Sequence, residues 1–193
     1  MRSLVITTLL FLSIGLVSCD KDNNNGPDIP DNLEVLNYDA ANFDAPFLPA
    51  QTYESGVRFS PTRLAPYLGK NLVSVYYYFK ELPQSARIKV YTSSGGLEPT
   101  QLIYDAPLTN FTGFAWNSHT LTTPYNIQST DLWVTIEYTQ ISDGRILGCD
   151  PGPAVLDGDW HWDASDSTWT PLVTRTNGAL DINWNIRLAI DPS

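Results

Sequence analysis

Basic residues are scarce in this chain: 11 Lys and Arg stand against 21 Asp and Glu, for a formal net charge of −10 over 193 residues. Recognition of a phosphate backbone needs clustered cations, and these few are spread along the chain, which excludes nucleic acid as a partner. Cysteine is limited to Cys19 and Cys149, so no disulfide framework holds the fold together. Histidine is limited to His119 and His161, and the G-x-S-x-G nucleophile elbow is missing, which leaves little material for acyl-transfer catalysis. No fixed-period repeat and no long helical pattern is visible. The longest apolar run, Leu4 to Val17, is too short to cross a bilayer as a helix.

That run follows Arg2 and is read as an export signal occupying residues 1–18. It ends Leu16-Val17-Ser18-Cys19, which resembles the lipobox of bacterial lipoproteins and implies acylation of Cys19. Several acyl chains on one residue make a stable membrane anchor, since each buried methylene contributes about 0.8 kcal/mol. With Cys19 acylated, Cys149 has no partner for an intramolecular disulfide, and a buried thiol is expected there. Residues 19–33 are rich in Asp, Asn, Pro and Gly and nearly free of apolar side chains, so they are expected to form a disordered tether. Asp20, Lys21 and Asp22 are similar to short signals that send lipoproteins to the outside of the outer membrane, although in other bacteria an Asp after the Cys retains them at the inner one. The expected localisation is exported, lipid-anchored to the outer membrane and facing outward.

Residues 34–193 carry the signature of one all-β domain: short alternating segments separated by Pro, Gly, Asn and Asp clusters. The clearest lies at Asn71 to Lys80, where Val73, Val75, Tyr77 and Phe79 alternate with Ser74, Tyr76, Tyr78 and Lys80. Leu132, Val134, Ile136 and Tyr138 form a second inward row, with Trp133, Thr135 and Glu137 outward. Ala86, Ile88 and Val90 form a third, with Arg87, Lys89 and Tyr91 outward. A fourth runs from Leu180 through Ile182, Trp184, Ile186 and Leu188 to Ile190 and predicts a long central strand. Further strands are expected near Val35 to Tyr38, Ser55 to Ser60, Thr100 to Leu108, Gly113 to Thr122 and Trp169 to Thr174, with one helical turn after Pro61. The fold class predicted is an antiparallel β-sandwich of jelly-roll type.

The segments Arg58-Phe59-Ser60-Pro61, Tyr67-Leu68-Gly69-Lys70, Trp116-Asn117-Ser118, Asp131-Leu132-Trp133-Val134, Gly148-Cys149-Asp150-Pro151-Gly152-Pro153 and Asn183-Trp184-Asn185-Ile186-Arg187 resemble the jelly-roll modules of bacterial secreted and surface proteins. Such modules are appended to proteases, glycosidases and adhesins as noncatalytic parts, so the resemblance implies a binding role and no catalysis. Here the module would be the whole mature protein, and Cys149 stands where a small apolar residue is expected.

Three constellations are candidates for chemistry. Asp157, Asp159, His161 and Asp163 would share one side of an extended segment and offer ligands for Ca²⁺ or a transition metal. The EF-hand pattern fails there, because Trp162 occupies the Gly position and Thr168 that of the bidentate Glu, and the competing reading is a solvated loop or an edge strand whose tryptophans cover the core. Ser165, His161 and Asp163 supply the residue types of a hydrolytic triad but crowd into five positions. His119 alternates with Leu121 and reads as a hydrogen-bonded core histidine.

The third constellation is a ligand-binding patch. If their strands adjoin, Tyr76, Tyr78, Lys80, Arg87, Lys89, Tyr91, Trp133 and Glu137 form an aromatic face ringed by hydrogen-bonding groups. It would suit a glycan or an envelope or surface protein, and needs no cofactor. The same side chains would otherwise serve β-propensity and cross-strand pairing. A structural subunit of a surface assembly is the alternative function, and a hydrolase the less favoured one.

Overall fold

The computed structural model describes residues 26–193; the export signal, Cys19 and the first part of the expected tether lie outside the described residues. Ten strands form two antiparallel sheets. In chain order they are β1 (Glu34–Leu36), β2 (Thr52–Phe59), β3 (Asn71–Phe79), β4 (Ser85–Ser93), β5 (Gln101–Pro107), β6 (Ala115–Asn126), β7 (Asp131–Thr139), β8 (Trp160–Asp163), β9 (Thr168–Pro171) and β10 (Ile186–Asp191). The small sheet has the order β1-β10-β3-β6, the large one β5-β4-β7-β2-β8-β9. Because β1 and β3 lie in one sheet and β2 and β4 in the other, the chain winds back and forth between the layers in jelly-roll fashion. The β8–β9 hairpin extends the large sheet beyond β2.

Between the sheets lies one core, built from the inward rows expected on β3, β4, β7 and β10 together with residues of β2. Val57 and Phe59 of β2, Ile88 and Val90 of β4, and Val134, Ile136 and Tyr138 of β7 meet Val75, Tyr77 and Phe79 of β3 and Ile186 and Leu188 of β10. On β3 a register shift between Leu72 and Ser74 changes the phase, so Leu72 is buried in the core and Val73 is only half-buried.

Two segments differ from expectation. The run from Leu180 joins the regular ladder only at Ile186; before it Trp184 forms an isolated bridge with Cys149, and Asn183 and Asn185 use their side chains as structural ties. Asn183 Nδ2 donates to both carboxylate oxygens of buried Asp150, and Asn185 Nδ2 donates to Asp39 Oδ2. Near Trp169 the strand ends at Pro171 and α2 (Leu172–Arg175) follows, with Val173 N donating to Asp159 Oδ2 at 2.8 Å. After β2, the Ser60 hydroxyl accepts from Arg63 N at 3.4 Å and opens α1 (Pro61–Leu64), with Pro61 in the first turn, where a missing N–H costs nothing.

Candidate binding cleft

The register of the large sheet decides which side chains share its outer face. Arg58 of β2 pairs with Trp133 of β7, which pairs in turn with Tyr91 of β4, while Gly56 pairs with both Thr135 and Trp160. Trp162 and Trp169 pair across the β8–β9 hairpin, placing four of the six tryptophans on or beside this face. Trp133 contacts Trp160 with ring centroids 5.0 Å apart and Trp169 at 5.8 Å, and the Arg58 guanidinium lies 5.7 Å above the Trp133 ring. Trp133 is thereby fully buried and Trp169 only partly so. Trp133 is thus the floor of the cluster, and its indole N–H donates to Ser93 Oγ at 3.1 Å.

Arg58 stands at the centre of this end of the molecule. Its Nη2 approaches Asp131 Oδ1 at 3.4 Å and its Nη1 approaches Asp157 Oδ1 at 3.5 Å. Ser93 Oγ donates to the other oxygen of Asp131, and the Trp160 indole N–H donates to Asp157. Two hollows open on either side of Arg58. One, of about 370 Å³, is lined mainly by polar residues, among them Ser93, Ser94, Ser129, Thr130 and Asp131. The other, of about 700 Å³, is walled by Trp160, Trp169 and Pro171, with Leu97 and Leu156 at its rim, 66% and 82% exposed. The two hollows share Arg58 as a lining residue, so aromatic surface and hydrogen-bonding groups flank one side chain and together make up the candidate cleft, a mixture that fits a ligand with both apolar faces and hydroxyls.

The patch expected from sequence does not form as one surface. Tyr76, Tyr78 and Lys80 lie on or just beyond β3 in the small sheet, whereas Arg87, Lys89, Tyr91, Trp133 and Glu137 belong to the large one. Alternation fixes the face of a strand but not the sheet it joins. On the small sheet Tyr78 meets Trp116 edge to face at 5.8 Å, Arg187 lies 4.8 Å over Trp116, and Lys80 is bonded to Asp44. The described part of the expected tether lies against this surface: Gly26 passes beside the Arg187 guanidinium, and burial, with the charge of Asp28 adding to it, raises the pKa of Tyr76.

On the large sheet the cations are engaged by neighbouring strands. Arg87 pairs with Asp105 of β5 at 2.7 Å. Lys89 donates to Glu54 of β2 at 2.9 Å and to Glu137 of β7 at 2.6 Å, while Tyr91 and Thr135 donate their hydroxyls to Glu54. Burial opposes the Lys89 charge, but the bond to Glu137 and the charge of Glu54 hold its pKa above the usual lysine value. These contacts are cross-strand structural pairs.

The acidic segment does not assemble either. Asp157 faces Arg58 and Trp160, Asp159 caps α2, and Asp163 accepts from Ser165 N at 2.7 Å. His161 points into the core, bonded to Ser55, because β8 turns its tryptophans outward and its histidine inward. No group of three or more His, Cys, Asp or Glu side chains able to hold a metal is found among the described residues. The same inward turn removes His161 from Ser165 and Asp163 as a triad. His119, expected in the core, lies half-buried on edge strand β6, its Nε2 2.7 Å from the Tyr104 hydroxyl, and burial lowers its pKa.

Arg58, Asp131, Asp157 and Trp169 are cleft residues that the sequence patterns did not single out together. Their association depends on the β7-β2-β8-β9 order, which no local pattern encodes. No protein-family model matches the chain, and no curated protein matches it.

Proposed function

We propose that this protein is a noncatalytic recognition module of the bacterial envelope, anchored through Cys19 and facing outward, that binds a glycan chain in the cleft around Arg58. The observation that carries this reading is the position of Arg58 between a polar hollow and an aromatic one. Sugar rings present C–H faces that stack on aromatic planes such as Trp169, and their hydroxyls meet accessible groups such as Ser94, Ser129 and Thr130. The binding is stoichiometric and needs no cofactor.

A panel of immobilised oligosaccharides tests it. Binding should be lost on Trp169→Ala and retained on Tyr76→Ala, which alters the opposite sheet. Loss with Tyr76→Ala and not Trp169→Ala would move the site to the small sheet. Exchange of Cys19 for Ala should release the protein from membranes, and retention there would remove the anchor.

A second reading rests on Leu97 and Leu156, the two exposed leucines at the cleft rim. Apolar side chains so placed suit a protein neighbour in a surface assembly. Capture of one partner subunit from the envelope by the wild type but not by a Leu97→Ser, Leu156→Ser variant, with no oligosaccharide bound, would favour it.

A further inference from the structure

The charge distribution in the cleft narrows the class of glycan, on the premise that the cleft is the glycan site. The charged side chains lining the two hollows are Arg58, Asp131 and Asp157, one cation and two carboxylates. Arg58 is held by both carboxylates and its side chain is only 17% exposed. Arg175, next to the lining residue Thr174, is closed off by Asp166 at 2.7 Å. An incoming carboxylate or sulfate would thus meet a cleft of net charge −1 on a chain of net charge −10, with its one guanidinium flanked by carboxylates at 3.4 and 3.5 Å and its Nε buried. A hydroxyl has the opposite experience, since it can donate to an ionised carboxylate in a charge-assisted hydrogen bond.

We infer that the cleft selects uncharged sugar chains and rejects those bearing uronic acid or sulfate. Asp157 is the group through which discrimination can be tuned without dismantling the fold. It sits in the left-handed region at φ 74°, a conformation Asn tolerates well, and the Asn side-chain oxygen can still accept from the Trp160 indole N–H.

The test titrates the mature protein with neutral hexasaccharides of glucose, mannose and xylose and with oligogalacturonate and oligoalginate of equal length, at low ionic strength and at about 0.15 M salt. At least one neutral probe should bind, and both anionic probes should bind about tenfold more weakly or less, the gap narrowing as salt screens it. Asp157→Asn should strengthen binding of the anionic probes by up to about tenfold and so shrink the neutral-to-anionic ratio. An anionic probe that binds as well as the best neutral one overturns the selectivity while leaving the cleft as the site, provided Trp169→Ala abolishes it. An unchanged neutral-to-anionic ratio in Asp157→Asn also overturns it. Failure of every probe, neutral and anionic, overturns the glycan reading itself.

Discussion

Ser55 and His161 meet inside the sandwich, Oγ to Nδ1 at 2.8 Å, with neither side chain open to solvent. The imidazole lies between Tyr53, ring centroids 5.1 Å apart, and Trp184 at 5.9 Å. Strand β8 therefore docks on β2 through a polar pair enclosed by aromatic rings. That pair ties the β8–β9 hairpin, and with it Trp160 and Trp169 of the cleft, to the core.

Burial pushes the His161 pKa down from 6.5 to about 4, and the charge of Arg175 adds to the effect against the opposing charges of Asp163 and Asp166. The neutral ring is the folded form, so its contribution to stability is complete above pH 6.5 and is lost as pH falls from there toward 4. The shift corresponds to about 3 kcal/mol at the acid end. Urea unfolding at pH 7.5 and pH 4.5 should show the wild type losing more stability than His161→Phe, which has no proton to take up. Equal losses in the two proteins would remove His161 as the source.

Lys89 and Arg87 are neighbours on one strand face but differ in enclosure, and their substitutions should differ accordingly. Lys89 is 15% exposed and joins Glu54, 7% exposed, whereas Arg87 and Asp105 are 40% and 31% exposed. Lys89→Met should cost about 3 kcal/mol, because Glu54 is left as a buried charge without its cation. Arg87→Met should cost under about 1 kcal/mol, since an exposed pair is screened by water. Denaturant titration of the two variants checks this ranking, and equal costs would contradict it.

These contrasts also mark how far the sequence was legible. The inward rows of β4 and β7 and most of β3 and β10 followed from period-two alternation, because one face of each strand is apolar. Glu54, Gly56 and Arg58 gave β2 no such pattern on its outer side, since Glu54 is satisfied by Lys89, Tyr91 and Thr135 from other strands. The segment of β8 read as a loop or an edge strand with its tryptophans over the core, and its orientation was hidden because the inward residue is His161, whose partner Ser55 lies 106 positions away. The cleft was hidden for the same reason: it exists only once β2, β7, β8 and β9 are adjacent.

Gly56 should prove intolerant of a single methyl group. It sits mid-strand between Thr135 and Trp160, and an added Cβ would come within 2.5 Å of Thr135 Cγ2 and 2.7 Å of the Val134 carbonyl oxygen. Gly→Ala commonly stabilises by about 0.4–1 kcal/mol through the unfolded chain. Overpacking against a backbone oxygen costs roughly 1–3 kcal/mol and should win. Thermal unfolding of Gly56→Ala should therefore show a lower midpoint, whereas a midpoint at or above that of the wild type would mean that β2 and β7 yield to the methyl.

Cys149 separates access from ionisation. It borders a hollow of about 440 Å³ shared with Phe43 and Phe47, yet is itself only 3% exposed. Burial, with the charges of Asp150 and Asp44, pushes its thiol up to about 12, so at pH 8 only about one molecule in ten thousand carries the reactive thiolate. In a Cys19→Ala protein, where Cys149 is the sole thiol, iodoacetamide at pH 8 should leave the folded chain unlabelled over hours and label it within minutes in denaturant. Mass spectrometry reads the outcome. Rapid labelling of the folded protein would mean that the hollow admits water and ionises the thiol, and the sulfur would then be a reactive group in an open pocket and no longer part of the core.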